Sequence, residues 1–265
     1  MDTIITKPVK GSNWVAFITI IQKEITRFMR IWVQTILPPA ITMSLYFVIF
    51  GNLIGSRVGT MDGLPYMEFI VPGLIMMSVI TNSYSNVVSS FFSAKYQRSV
   101  EEMMVAPVPN WVILAGFVGG GVLRGLLTGF IVTMVSLFFI DNIAIHNILV
   151  VISVVILTSI LFALAGFLNA LFAKSFDDIS IVPTFILTPL TYLGGVFYSI
   201  QLLPEFWQTV SKANPIIYMV NAFRYGFLGK SDISVGVAFG LILVFIFLLA
   251  SLCLYLLNKG KGLRS

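Results

Sequence analysis

Residues 142–173 read NIAIHNILVVISVVILTSILFALAGFLNALFA, a run without a single Asp, Glu, Lys or Arg. A helix needs roughly 20 apolar residues to cross the hydrocarbon core of a bilayer, and this run exceeds that. It shows none of the polar/apolar alternation that the wall of a membrane β-barrel requires. Working outward, the same test finds five more runs: 31–56, 69–94, 111–140 (interrupted only by Arg124), 179–204 and 233–258. The reading is therefore an all-α polytopic membrane protein with six transmembrane helices, occupying residues 1–265 as one domain. Pro38, Pro39, Pro183 and Pro189 fall inside these runs. Proline is tolerated within membrane helices and there marks kinks.

The composition agrees and narrows the chemistry. Of 265 residues, 58% are apolar and 10% charged, with mean hydropathy +0.98. A soluble domain carries about 25% charged residues, so water cannot be the main solvent of this surface. One histidine (His146) and one cysteine (Cys253) supply neither a multi-ligand metal site, a disulfide nor a Cys/His catalytic pair. No catalytic, cofactor-binding or metal-ligating residue is assigned. The net charge of +5 comes from basic residues spread thinly between apolar runs, which argues for topology rather than nucleic acid. With six spans, Lys7, Lys10, Lys23, Arg27, Arg30, Lys95, Arg98, Lys174, Lys259, Lys261 and Arg264 share one side, against Arg57, Lys212, Arg224 and Lys230 on the other. The positive-inside rule then places both termini in the cytoplasm. MDTIITKPVKGSNW lacks the apolar core of a signal peptide and is expected to be retained.

Three segments are not spans. In 11–30, Trp14, Phe17, Ile18, Ile21, Ile25, Phe28 and Met29 recur at intervals of three and four, with Lys23, Glu24, Arg27 and Arg30 at other positions. This predicts an amphipathic helix in the inner headgroup layer, where basic residues meet anionic lipid. It serves either as an anchor for the first span or as a lever for a cytoplasmic partner. Between the second and third spans, Pro107 and Pro109 end a short helix that carries Glu101, Glu102, Met103 and Met104, whose apolar members need a cover. Residues 204–230, with Glu205, Lys212, Asn214, Pro215 and Arg224, are too polar to span and too apolar for a free loop. They read as two outer re-entrant helices split at Pro215, with Phe206, Trp207, Tyr218, Phe223 and Tyr225 in the interfacial aromatic belt.

Within the spans, Gly121, Gly125 and Gly129 repeat every four residues, the spacing that lets membrane helices approach closely, within one chain or across a dimer. Arg124 lies near mid-span, where a charge costs about 2.5–3.5 kcal/mol to insert. Neighbouring Leu, Ile and Phe residues offset that cost. Arg124 either pairs with a neighbouring helix or binds an anionic headgroup or sugar phosphate. Ser78, Asn82, Ser85, Asn86, Ser89 and Ser93 form one polar stripe, which either bonds to neighbouring helices or lines a route. Gly229-Lys230-Ser231 ends like a phosphate-binding loop but has Arg224 where that loop requires glycine. The chain thus shows no means of hydrolysing ATP itself.

The run Leu190-Thr191-Tyr192-Leu193-Gly194-Gly195-Val196-Phe197-Tyr198, then Leu203-Pro204, Trp207, Asn214-Pro215 and Arg224, resembles the signature of the ABC-2 family of export permeases. The likeness extends to Phe28-Met29-Arg30, Val71-Pro72-Gly73, Glu101-Glu102, Pro107-Val108-Pro109, Phe176-Asp177-Asp178 and Gly262-Leu263-Arg264-Ser265. It implies a six-helix half-transporter in the bacterial inner membrane that forms a homodimer and binds two copies of a separate ABC ATPase subunit. ATP and Mg would be held by that partner. The positions that the resemblance assigns to ATPase coupling include Lys23, Arg27, Arg98, Glu101, Glu102 and Met103. Asn82, Asn86 and Tyr192, with Arg124, are the pathway candidates. The implied function is export of an amphipathic, lipid-linked or glycan-type substrate. The competing class is a secondary carrier or channel that works without an ATPase.

Overall fold

The computed structural model describes residues 12–140 and 145–262. The expectations that fall on 1–11, 141–144 and 263–265, among them Lys7, Lys10 and Arg264, lie outside those residues.

Helix α1 (Ser12–Arg30) ends where Ile31 leaves helical geometry, at φ −111° and ψ 37°. The chain resumes as α2 (Trp32–Thr35), α3 (Leu37–Tyr46), a π-helical stretch Phe47–Ile54 and α4 (Gly55–Val58). Pro38 and Pro39 sit in the first turn of α3, where an N–H has no intrahelical partner to lose. A two-residue hairpin follows: β1 (Thr60–Met61) and β2 (Leu64–Pro65) pair antiparallel around Asp62 and Gly63, at φ 52° and 73°. Asp-Gly is a favoured pair for such a turn because both positions need positive φ.

The second long helix, α5 (Tyr66–Tyr96), is the axis of the fold and is buried along most of its length. It packs between α7 (Asn110–Ser136) and α8 (Ile148–Phe172), with the short α6 (Ser99–Val105) connecting α5 to α7. Helix α8 begins at Ile148 rather than at the expected 142 because the Asn147 side chain accepts hydrogen bonds from the N–H groups of Leu149 (3.1 Å) and Val150 (3.2 Å). The chain closes with α13 (Val235–Asn258), whose outer face is apolar and exposed, Phe247 at 72%. Apolar rings so exposed need lipid around them.

Five helical runs among the described residues are long and apolar enough to cross a membrane: Trp32–Val58, Tyr66–Tyr96, Asn110–Ser136, Ile148–Phe172 and Val235–Asn258. The span expected at 179–204 is not one continuous helix. It folds as α9 (Asp178–Val182), a π-helical stretch Pro183–Leu187 and α10 (Thr188–Tyr192), three consecutive pieces of five residues each. At about 1.5 Å per residue the helical part of that run reaches roughly 22 Å. It stops at Gly194-Gly195, where Gly195 adopts φ 71°. After a 3₁₀ turn at Ile200–Leu202, α11 (Glu205–Lys212) and α12 (Pro215–Leu228) occupy the region expected to hold two short helices. Their burial differs: Phe206 and Trp207 on α11 are exposed, whereas α12 is wedged among α5, α8 and α13. Phe223, expected in an interfacial belt, is instead a core residue whose ring lies 4.8 Å from that of Phe227, tilted by 57°.

Candidate functional site

The two glycine clusters of α7 set the positions of the polar residues. Gly121, Gly125 and Gly129 face α5 and α8: a methyl at Gly121 would come within 3.0 Å of both Ala163 Cβ and the Ser83 carbonyl, and one at Gly129 within 2.7 Å of Val79. At Gly125 it would overlap the Ser83 hydroxyl. The close contact of this stripe is therefore within the chain. Gly116, Gly119 and Gly120 lie on the α1 side, where added methyls would meet Ile20, Ile21 and Glu24.

Seated in that groove, α1 buries Ile20, Glu24 and Phe28 at successive turns. Glu24, which the sequence places on a solvated polar face, is completely buried. Its carboxylate accepts hydrogen bonds from the Ser90 hydroxyl, from Asn86 Nδ2 at 3.2 Å and from Arg27 Nη2 at 3.2 Å. Arg27 Nη2 also donates to the Asn86 carbonyl (3.1 Å) and Oδ1 (2.8 Å). Arg27, expected beside Lys23 on a partner-facing surface, thus turns toward α5. One turn of α5 away, Arg124 Nη2 donates to Asn82 Oδ1 at 3.2 Å and to the Thr35 carbonyl at 3.4 Å. Asn82 in turn donates to the Ser78 carbonyl at 3.0 Å.

The polar stripe on α5 is accordingly divided. Ser78, Asn82, Asn86 and Ser90 are buried and bonded, all four to one another or to α1 and α7. Thr81 is exposed, and Ser85 and Ser89 are half-buried beside it. Tyr192 is 39% exposed and shares a hydroxyl–hydroxyl bond of 2.8 Å with Tyr46, which joins α10 to α3. It stands apart from the Asn82–Arg124 cluster in these contacts.

At the α6 end of the molecule Arg98, Glu101 and Glu102 are exposed, with Arg98 in left-handed geometry at φ 60°. Met103 and Met104 pack against the core, so the apolar part of α6 is covered by the chain itself, while Val105 stands 87% exposed. A cleft of about 440 Å³ between α1 and α6 is lined by Thr19, Ile20, Lys23, Glu102, Met103 and Val108. The structure therefore brings Lys23 and Met103 to one surface with Glu102, whereas Glu101 lines a neighbouring cavity with Lys95 and Arg98. Arg27 belongs elsewhere.

At the opposite end, Arg224 on α12 is buried. It donates to the Gly195 carbonyl at 2.7 Å and lies 3.9 Å above the Phe69 ring. Nearby, Asp232 accepts from Ser199 Oγ (3.2 Å), Ile200 N (3.3 Å) and Gln201 Nε2 (3.4 Å). These bonds hold the 193–202 turn against α5 and α12. Among the described residues no three His, Cys, Asp or Glu side chains gather as metal ligands would. Glu24 is the principal residue that sequence reasoning missed. A signal existed in the matched four-residue periods of Ile20, Glu24 and Phe28 on one helix and Gly116 and Gly120 on the other.

Comparison with known proteins places this arrangement. The ABC-2 type transporter family model matches residues 15–228. The chain is 62% identical over 252 residues to "Inner membrane transport permease YadH" of Escherichia coli K12, covering 95% of this chain and 98% of that protein, and equally so to the protein of that name in Shigella flexneri. "Nodulation protein J" of Rhizobium meliloti is 24% identical over 236 residues, 88% of each chain. The chain belongs to the ABC-2 type transporter family, as a helical membrane-spanning transport subunit rather than an enzyme.

Proposed function

We propose that this chain is the permease subunit of an ATP-driven exporter of the bacterial inner membrane. It works as a homodimer with two copies of a separate ATPase that holds ATP and Mg, and both its termini are cytoplasmic. Its cargo is amphipathic, lipid-linked or of glycan type. The run Asp178–Tyr192 with the turn that follows it makes the sixth crossing, and the re-entrant pair α11 and α12 closes the membrane domain on its outer side. The observation that carries the reading is the shared cleft between α1 and α6. Two segments distant in sequence place Lys23, Glu102 and Met103 around one surface on a chain that lacks a phosphate-binding loop, with Glu101 beside them on α6. Opposite charges flanking an apolar floor suit the docking of a protein partner.

The test is to purify the tagged full chain from its native membranes and measure subunit stoichiometry by native mass spectrometry. A complex of two permeases with two ATPases is expected. Charge reversal at E101K and E102K should weaken ATPase association at least about tenfold, the loss of roughly 1.4 kcal/mol across a rim of ion pairs. Unchanged assembly and turnover in that variant would remove the two glutamates from the interface. Flux driven by an ion gradient in vesicles that contain the permease alone would favour the carrier class and overturn the proposal.

A further inference from the structure

We infer that Arg27 and Arg124 form one binding site for a phosphate-bearing amphiphile, the phosphate lying between the two guanidinium groups. The inference rests on the transport reading above and narrows its cargo to an anionic headgroup.

The site is built on α5. Asn86 Oδ1 holds Arg27 Nη2 at 2.8 Å and Asn82 Oδ1 holds Arg124 Nη2 at 3.2 Å. Residues four apart on a helix lie about 5–6 Å from each other on one face, so the two amides present the two cations side by side. Their charges are not balanced. Glu24 is the one carboxylate in the network, and it is bonded to Arg27, Asn86 and Ser90. The bonds of Arg124 go to the neutral oxygens of Thr35 and Asn82, and among the described residues it has no acidic partner. Two cations beside one carboxylate leave a net positive charge, and adjacent like charges repel.

An anion relieves both costs. The Nε atoms of Arg27 and Arg124 are each buried without a hydrogen-bond partner. A guanidinium fork matches a phosphate bidentately through such donors. The cluster is not sealed, because the Arg27 side chain is 29% exposed. The exposed Thr81 and half-buried Ser85 and Ser89 continue the polar surface along α5. If the pair served only to pin α1 and α7 to α5, one carboxylate per guanidinium would do so with less residual charge.

The experiment titrates the purified full chain, in dodecyl maltoside without any ATPase, with dodecyl phosphate and separately with inorganic phosphate, following the heat of binding. Wild type is expected to bind dodecyl phosphate, with R27Q and R124Q each weakening it at least about tenfold. E24Q removes the competing carboxylate and should tighten binding about threefold or more, an effect that a purely structural pair would not produce. It also keeps the test decisive should either arginine variant fail to fold. Equal affinity for inorganic phosphate would overturn the amphiphile assignment. Binding that none of the three substitutions alters, or no binding, would overturn the site. Because the titration contains no ATPase, those results leave the assembly measurement, and with it the transport reading, to stand or fall separately.

Discussion

The seating of α1 in the glycine groove of α7 can be measured by filling the groove. Alanine at Gly116 would place a methyl 2.7 Å from Ile20 Cγ2, and alanine at Gly120 would place one 2.5 Å from Glu24 Cβ. Ordinary carbon contacts begin near 3.4 Å, so α1 must retreat by close to 1 Å at both points. Overpacking of this kind costs about 1–3 kcal/mol per site, and the two sites share one displaced helix, so their sum is less than additive, about 2–4 kcal/mol. Retreat also lengthens the bonds that Glu24 makes to Ser90 and Asn86. The control is G236A with G240A on α13, where an added methyl meets nothing within 4 Å. Those changes should be neutral or stabilising by about 0.4–1 kcal/mol each. The assay is amide hydrogen exchange across residues 13–30 in nanodiscs. The groove variant should raise exchange there by about 1.5 to 3 powers of ten, the equivalent of 2–4 kcal/mol, with little change in α13. Unchanged exchange in α1, or an equal rise with the α13 control, would refute the groove as the device that holds the helix.

Two further outcomes follow from local geometry. Replacing Asn147 by alanine strips the acceptor of two N–H groups at the start of α8 and should destabilise that end by about 1 kcal/mol, seen as faster exchange at Leu149 and Val150. Asp178 accepts from the N–H of Lys174 at 2.8 Å and of Ser175 at 3.1 Å, and its own N–H bonds to the Ser175 hydroxyl. The Lys174 N–H, then Ser175, hold its carboxyl below the ordinary value of 3.8. A carboxyl depressed in the folded state stabilises above its unfolded pKa, and that contribution is lost as pH falls through the folded value. Protection of the 174–178 turn should therefore be flat from pH 7 to about 5 and decline below pH 4, whereas D178N should remove the decline.

How far the sequence reaches depends on what each residue must satisfy. Four of the long apolar runs after α1 announce themselves because lipid accepts only continuous helix, so 69–94 and Tyr66–Tyr96 differ only at their ends. The break in the run 179–204 has a local cause. Absence of charge does not imply one continuous helix: Pro183 and Pro189 disturb it and Gly194-Gly195 stops it at a position already visible in the sequence. The Asp62-Gly63 pair likewise marks a hairpin that charge counting passes over. Glu24 is a different case. Its four-residue relation to Ile20 and Phe28 is also compatible with a solvated charge on an amphipathic helix. Only the absence of side chains at Gly116 and Gly120 on a helix some ninety residues later makes room for it. Arg124 was legible as costly, but its partners at Thr35 and Asn82 come from two other segments and follow only from tertiary packing.

These contacts bear on what α1 can do as a coupling element. A lever moves independently of the body to which it is hinged, and α1 is fixed to that body at two levels. Gly116 and Gly120 accept Ile20 and Glu24 from one side, while Asn86 and Ser90 bond Glu24 and Arg27 from the other. A force applied at the exposed Lys23 therefore reaches α5 and α7 through a buried charge network rather than through a flexible joint. The looser element is α6. It is only seven residues long, enters through left-handed Arg98, leaves toward Pro107 and Pro109, and touches the core chiefly through Met103, Met104 and Val100. Methionine tolerates sliding contacts because its side chain is unbranched and polarizable. In the proposed assembly, relative motion between the ATPase and the membrane helices should therefore be concentrated at the α1–α6 cleft, with α1 moving as part of the α5–α7 body. Crosslinking α1 to α7 through cysteines at positions facing each other across the groove should accordingly leave ATP-driven turnover intact, whereas tethering α6 to α1 across the cleft should abolish it. Loss of turnover in the first variant would restore α1 as an independent lever.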